Sequence, residues 1–95
     1  GAVLQLSRAM ARDYAGYNIR IVPVCPGDVD TPMLRREYID RGLEIETGLR
    51  ESAAAVPLNR ICTVEEIAHI VLFAASDSAA SITGSPLLVD GGYRA

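Results

Sequence analysis

Apolar and polar positions recur with different periods along this chain, and each period predicts an element. From Ala2 to Tyr14 the residues Ala2, Val3, Leu6, Ala9, Met10 and Tyr14 fall near helical spacing, with Gln5, Arg8 and Arg12 on a polar stripe. Good helix formers dominate this stretch, and Gly16 supplies a stop. Arg20 to Cys25 is apolar on both faces, as a buried parallel strand is. Pro23 within it cannot donate to a ladder, so one bond is lost on one side or a bulge sits there. Pro26 and Gly27 end the run, and Thr31 followed by Pro32 is an N-cap with proline at the first helical position. That helix reads from Thr31 to Arg41, with Gly42 ending it. Gly42 to Pro57 is less regular: Leu43, Ile45 and Leu49 interleave with Glu44, Glu46 and Glu51, and Ser52 to Val56 predicts a short helix stopped by Pro57. Thr63-Val64-Glu65-Glu66 is a capping box that opens a helix from Val64 to about Ser76. Only Glu65, Glu66 and His69 form its polar stripe, which predicts burial on more than one side. Ser85 to Asp90 reads as a last strand, opened by Pro86 and ended by Gly91-Gly92. Strand, helix and strand predict a right-handed crossover between parallel neighbours, hence an α/β fold.

Composition narrows the function. The 95 residues allow one small domain. A net charge of -3 without a basic stripe argues against nucleic acid. No apolar run is long enough to span a membrane, and no signal-peptide pattern is present. Cys25 and Cys62 have neither Cys-x-x-Cys spacing nor a nearby histidine, and read as small buried residues in a reducing, cytoplasmic compartment. The single histidine, His69, lies on a wet stripe, so the serines have no base to serve them. Asp28 and Asp30 read as solvated turn formers rather than a metal site. The stretch Val24 to Pro32 therefore carries the candidate chemistry. It is a strand, a tight turn and a helix start, and ligands of open α/β sheets bind just beyond strand ends. Gly27 lacks a Cβ, so a flat ligand can approach its backbone. The amides around Val29 and the Thr31 hydroxyl can bond an amide or a phosphate.

Asn18-Ile19-Arg20-Ile21-Val22-Pro23-Val24-Cys25-Pro26-Gly27-Asp28-Val29-Asp30-Thr31 resembles the sixth strand and cofactor turn of the short-chain dehydrogenases/reductases. Pro57-Leu58-Asn59-Arg60 through Glu65-Glu66-Ile67-Ala68, and Ile82-Thr83-Gly84 through Asp90-Gly91-Gly92, are similar to two later motifs of that family, in the same order. The resemblance covers almost the whole chain, but only about the last third of a full member. It implies that residues 1–95 are the C-terminal part of a single NAD(P)-binding domain, a Rossmann-like doubly wound parallel sheet. It places a substrate lid at residues 32–60, with Met33, Leu34 and Tyr38 as an apolar cover. It also implies that Pro26 and Gly27 pack at the nicotinamide end of NAD or NADP, that the Val29 amide and carbonyl meet the carboxamide, and that Thr31 bonds the carboxamide or pyrophosphate. The catalytic Ser, Tyr and Lys would lie upstream of Gly1, so the fragment alone is expected to be inactive. The implied activity is interconversion of a secondary alcohol and a ketone, by a homotetramer built partly from the Val64–Ser76 helix and the last strand. A 3-oxoacyl carrier-protein reductase is an alternative within the family, and a non-catalytic assembly fragment is the alternative outside it.

Overall fold

A computed structural model describes residues 1–95. The elements in chain order are α1 (Ala2–Tyr14), β1 (Val24–Pro26), α2 (Pro32–Asp40), α3 (Ile45–Ala54), α4 (Val64–Ala75) and β2 (Leu87–Val89), with 3-10 turns at Ala15–Tyr17 and Asp77–Ala79. The chain divides into two compact units. One is Gly1–Cys25 with His69–Leu88; the other is Pro26–Ala68 with Val89–Ala95.

In the first unit, α1 runs as its periodicity predicts and buries Ser7 and Ala11, one turn apart on one face. Its stop is not Gly16. The helix tightens into the 3-10 turn, and Asn18 takes the left-handed conformation at φ 59°. The following strand is shorter and later than Arg20 to Cys25. The Ile21 carbonyl accepts from Gly84 N–H at 2.8 Å, and the Pro23 carbonyl accepts from Leu87 N–H at 2.9 Å. Two residues on one side thus match three on the other, which is a bulge around Ser85–Pro86. Pro23 has no N–H to return, and Ile21 N–H goes instead to Thr83 Oγ1 at 3.0 Å. A regular ladder therefore forms only from Val24 onward. The same disruption trims the last strand from Ser85–Asp90 to Leu87–Val89. Arg20 donates from its guanidinium to the carbonyls of Ser76 and Ile82, closing the turn after α4. Ala79 is buried beneath it.

β1 and β2 pair as a two-stranded sheet. Partner numbers rise together, from Pro23 with Leu87 to Gly27 with Val89, so the pair is parallel.

In the second unit, α2 and α3 form a hairpin. Thr31 is extended at φ -131° and ψ 160° and caps α2, its Oγ1 accepting from Leu34 N–H at 3.1 Å. At the other end Leu43 N–H reaches the Tyr38 carbonyl and Gly42 N–H the Ile39 carbonyl, with Gly42 at φ 79°: a Schellman stop. α3 is a ten-residue helix from Ile45, where a short helix from Ser52 was expected. Ile45 and Leu49 sit one turn apart on its half-buried side, and Gly48 between them is buried. The position of a Cβ on Gly48 falls 2.4 Å from Tyr38 Cγ, so the Tyr38 ring lies flat on bare backbone.

The capping box opens α4 as expected: Glu66 N–H bonds Thr63 Oγ1 at 3.1 Å, and Thr63 N–H bonds Glu66 Oε1 at 2.9 Å. Arg60 adds a two-pronged ion pair to the same carboxylate at 2.8 Å. α4 ends at Ala75. None of its residues is buried within this chain, although its composition predicts burial on several sides. Ile67, Ile70 and Ala74, at i, i+3 and i+7, are half-buried, while Val71, Leu72 and Phe73 are 50%, 70% and 41% exposed. Ile70 thus belongs to the covered line and Val71 to the open one.

Candidate functional site

The turn after β1 is held by a short parallel bridge to the segment before α4. Cys62 N–H donates to the Asp28 carbonyl at 3.1 Å, and Asp30 N–H donates to the Cys62 carbonyl at 2.9 Å. Val29 lies between those two residues. In a parallel bridge the intervening residue turns its own amide away. Accordingly, the Val29 N–H and C=O make no hydrogen bond within the chain, although the residue is half-buried. A half-buried backbone pair of this kind is open to an outside partner. Its donor and acceptor, side by side, match the acceptor and donor of a carboxamide. The residues present therefore fit a nicotinamide amide at this position.

Thr31 follows directly. Its oxygen is occupied by the cap bond from Leu34, which leaves its hydroxyl proton free to donate. Arg35 grips both oxygens of Asp30 at 2.7 and 2.9 Å. That guanidinium holds the Asp30 carboxyl below its ordinary range. No group of acids, histidines and cysteines is placed to hold a metal ion.

Pro26 and Gly27 line a cavity of about 530 Å³ in the second unit, together with Tyr38. Val29, Thr31, Met33 and Leu34 are not among its lining residues. Met33 is 80% exposed and projects from the first turn of α2, whereas Tyr38 is 2% exposed and is the buried pin of the α2–α3 hairpin. Its hydroxyl shares a short hydrogen bond with Ser52. The three residues expected to act together as a cover are therefore separated into an exposed, a half-buried and a fully buried position. Gly27 packs closely against Asp90. A Cβ there would lie 3.0 Å from Asp90 Cβ and 3.1 Å from Asp90 Cα. Its missing side chain leaves room for Asp90.

Asp90 itself went unnoticed as a site residue in the sequence. It is buried, and its carboxylate accepts from Gly92 N–H at 3.0 Å and Arg94 N–H at 3.3 Å. This closes the C-terminal turn over the cavity, which Tyr93 and Arg94 also line. The signal was the Asp90-Gly91-Gly92 triplet: Gly91 and Gly92 take φ 62° and 90°, which an acid-capped turn of this shape requires. Arg41 and Glu51 line the cavity too, and nothing in the local pattern marks them. Both cysteines are free thiols, as expected; Cys62 is buried and Cys25 half-buried.

A family model described as enoyl-(acyl carrier protein) reductase matches residues 1–94. Dehydrogenase/reductase SDR family member 6 of Aquarana catesbeiana is 41% identical over 92 residues, 97% of this chain and 37% of that protein. 2-(S)-hydroxypropyl-CoM dehydrogenase 3 of Xanthobacter autotrophicus is 39% identical over 95 residues, 100% of this chain and 37% of that protein. Among solved structures, ligand-free aldohexose dehydrogenase of Thermoplasma acidophilum superposes with a TM-score of 0.89 at 38% identity, covering 98% of this chain and 38% of its own. The chain thus spans well under half the length of the relatives it matches. Its α/β fold matches part of the Rossmann fold of those structures. The chain belongs to the short-chain dehydrogenase/reductase family.

Proposed function

We propose that the full-length protein is an NAD(P)-dependent oxidoreductase that interconverts a secondary alcohol and a ketone. One observation carries the reading: a backbone donor and acceptor on Val29, left without partners at the turn beyond a parallel strand. The family membership supports it. In this reading the Val29 N–H and C=O hold the carboxamide and so select which face of the ring meets the substrate. The Thr31 hydroxyl donates to the carboxamide or the pyrophosphate, and Pro26 and Gly27 wall the nicotinamide end. Residues 32–60 form the substrate lid, with Met33 and Leu34 on its first turn and Tyr38 fixing its shape. The bound nicotinamide supplies or accepts the hydride, while the protein orients it and provides an acid–base group. That group, a tyrosine supported by a lysine, is assigned upstream of Gly1, so residues 1–95 alone carry no turnover. The protein is read as a single cytoplasmic domain that assembles as a homotetramer. No helix of the chain is long and apolar enough to cross a membrane.

The test is NAD(P)H formation by the full-length protein with a panel of sugars, polyols and cyclic secondary alcohols. Turnover with either nucleotide supports the reading. Absence of turnover together with absence of nucleotide binding contradicts it and favours a non-catalytic assembly role, for which the exposed apolar residues of α4 are the argument. A second enzymatic reading, a 3-oxoacyl carrier-protein reductase, is favoured by the acyl-carrier description of the matching family model. Preference for an acyl thioester over a free alcohol distinguishes it.

A further inference from the structure

The turn that carries Val29 is fixed from outside itself, by one residue. Cys62 grips it on both sides, through its N–H to the Asp28 carbonyl at 3.1 Å and its carbonyl to the Asp30 N–H at 2.9 Å. Its side chain reaches a third point. Cys62 Sγ donates to the Val89 carbonyl at 3.1 Å, and that carbonyl also accepts from Gly27 N–H at 3.1 Å. The thiol therefore ties the end of β2 to the residue that opens the turn, while the backbone ties the two residues flanking Val29. Cys62 is in turn held in place by its neighbours: Arg60 and Thr63 both bond the Glu66 carboxylate. The thiol is only 8% exposed, and burial pushes its pKa up, so it is an inert donor and not a nucleophile.

We propose that Cys62 is a positioning residue for the nicotinamide-binding turn: it rotates the Val29 N–H and C=O outward and locks them in register for a carboxamide. The proposal rests on the oxidoreductase reading above. It assigns Cys62 no contact with the cofactor, and its effect is confined to the nicotinamide half.

Full-length wild type, Cys62→Ala, Cys62→Val and Cys62→Ser are compared by equilibrium binding of two ligands. One is the reduced nicotinamide cofactor; the other is the matching ADP-ribose, which lacks the nicotinamide ring. Cys62→Ala and Cys62→Val, which lack a donor and bracket the thiol in volume, are expected to raise the cofactor Kd about three- to tenfold, the equivalent of one hydrogen bond. Their ADP-ribose Kd stays within about twofold of wild type, since ADP-ribose lacks the carboxamide that the Val29 turn would hold. Cys62→Ser retains a donor and recovers most of the cofactor affinity. An unchanged cofactor Kd in the folded donor-less variants, or an equal rise for both ligands, overturns the proposal. Wild-type protein that binds neither ligand overturns the oxidoreductase reading, and this proposal with it.

Discussion

Gly27 and Thr31 each serve two neighbours. The Thr31 oxygen caps α2, and its proton remains for a ligand. Thr31→Val removes both, and is expected to lower stability by about 0.5–2 kcal/mol, the usual loss for an N-cap. Nucleotide affinity falls in addition, by about the worth of one hydrogen bond, 0.5–1.5 kcal/mol. Thr31→Ser should restore both. Denaturant melts and nucleotide titrations of the same samples separate the two losses; a variant that loses stability but no affinity leaves Thr31 as a cap alone. Thr31 was legible in the sequence because capping is local: a hydroxyl, a proline and a helical run suffice. The role of Gly27 was legible only in part. Its smallness suggested room for a ligand, but Asp90, which takes that space, is remote in the chain and no periodicity connects the two.

Elements fixed by local chemistry came out where the pattern placed them; elements set by long-range packing did not. α1 and α4 match their expected starts because amphipathic spacing and a capping box are local signals. β1 and β2 are shorter than expected because Pro23, Pro86 and the Thr83 side chain break a ladder whose register involves both segments. α3 starts earlier than expected because Leu43, Ile45 and Leu49 interleave with Glu44, Glu46 and Glu51 without clear helical spacing, whereas the helix is set by packing of Gly48 against the Tyr38 ring. Gly48→Ala should therefore destabilise, although alanine is the better helix former by about 1 kcal/mol. Moving the ring breaks the Tyr38–Ser52 hydrogen bond and overpacks the hairpin, for a net loss of about 1–3 kcal/mol. In a Tyr38→Ala background the same change should turn stabilising, and thermal melts of the four proteins read the sign. The start of α4 adds a pH dependence. Arg60, and then the Thr63 N–H, lower the Glu66 pKa from 4.5 to about 2. A depressed carboxylate stabilises the fold above its unfolded pKa and loses that contribution as pH falls through its folded one. The contribution should be full above about pH 4.5 and fade towards about pH 2, and the difference between wild type and Glu66→Gln in thermal unfolding should shrink over that window. A difference that is constant down to pH 2 would mean that the ion pair is too solvated to matter.

The whole molecule presents more apolar surface than a small folded unit normally leaves to water. Val3 and Leu6 of α1 and Leu72 of α4 are 73%, 60% and 70% exposed. We propose that Phe73, 41% exposed, lies with its neighbours on α4 in a symmetric contact between subunits. Light scattering of the full-length protein should then give an oligomer for wild type and a smaller species for Phe73→Glu. A wild-type monomer would refute the assembly, and an oligomer indifferent to Phe73→Glu would move the contact elsewhere. Val29 bears most directly on cofactor binding. Its N–H bonds nothing in the chain, so Val29→Pro removes a donor without removing an internal hydrogen bond. The extended residue before a proline suits a turn leaving a strand. Titration of reduced nicotinamide cofactor into full-length wild type and Val29→Pro, matched for melting temperature, is the measurement. Affinity is expected to fall about tenfold, the worth of one strong hydrogen bond; a Val29→Pro variant that folds and binds the cofactor as tightly as wild type would contradict the assignment of Val29 to the carboxamide.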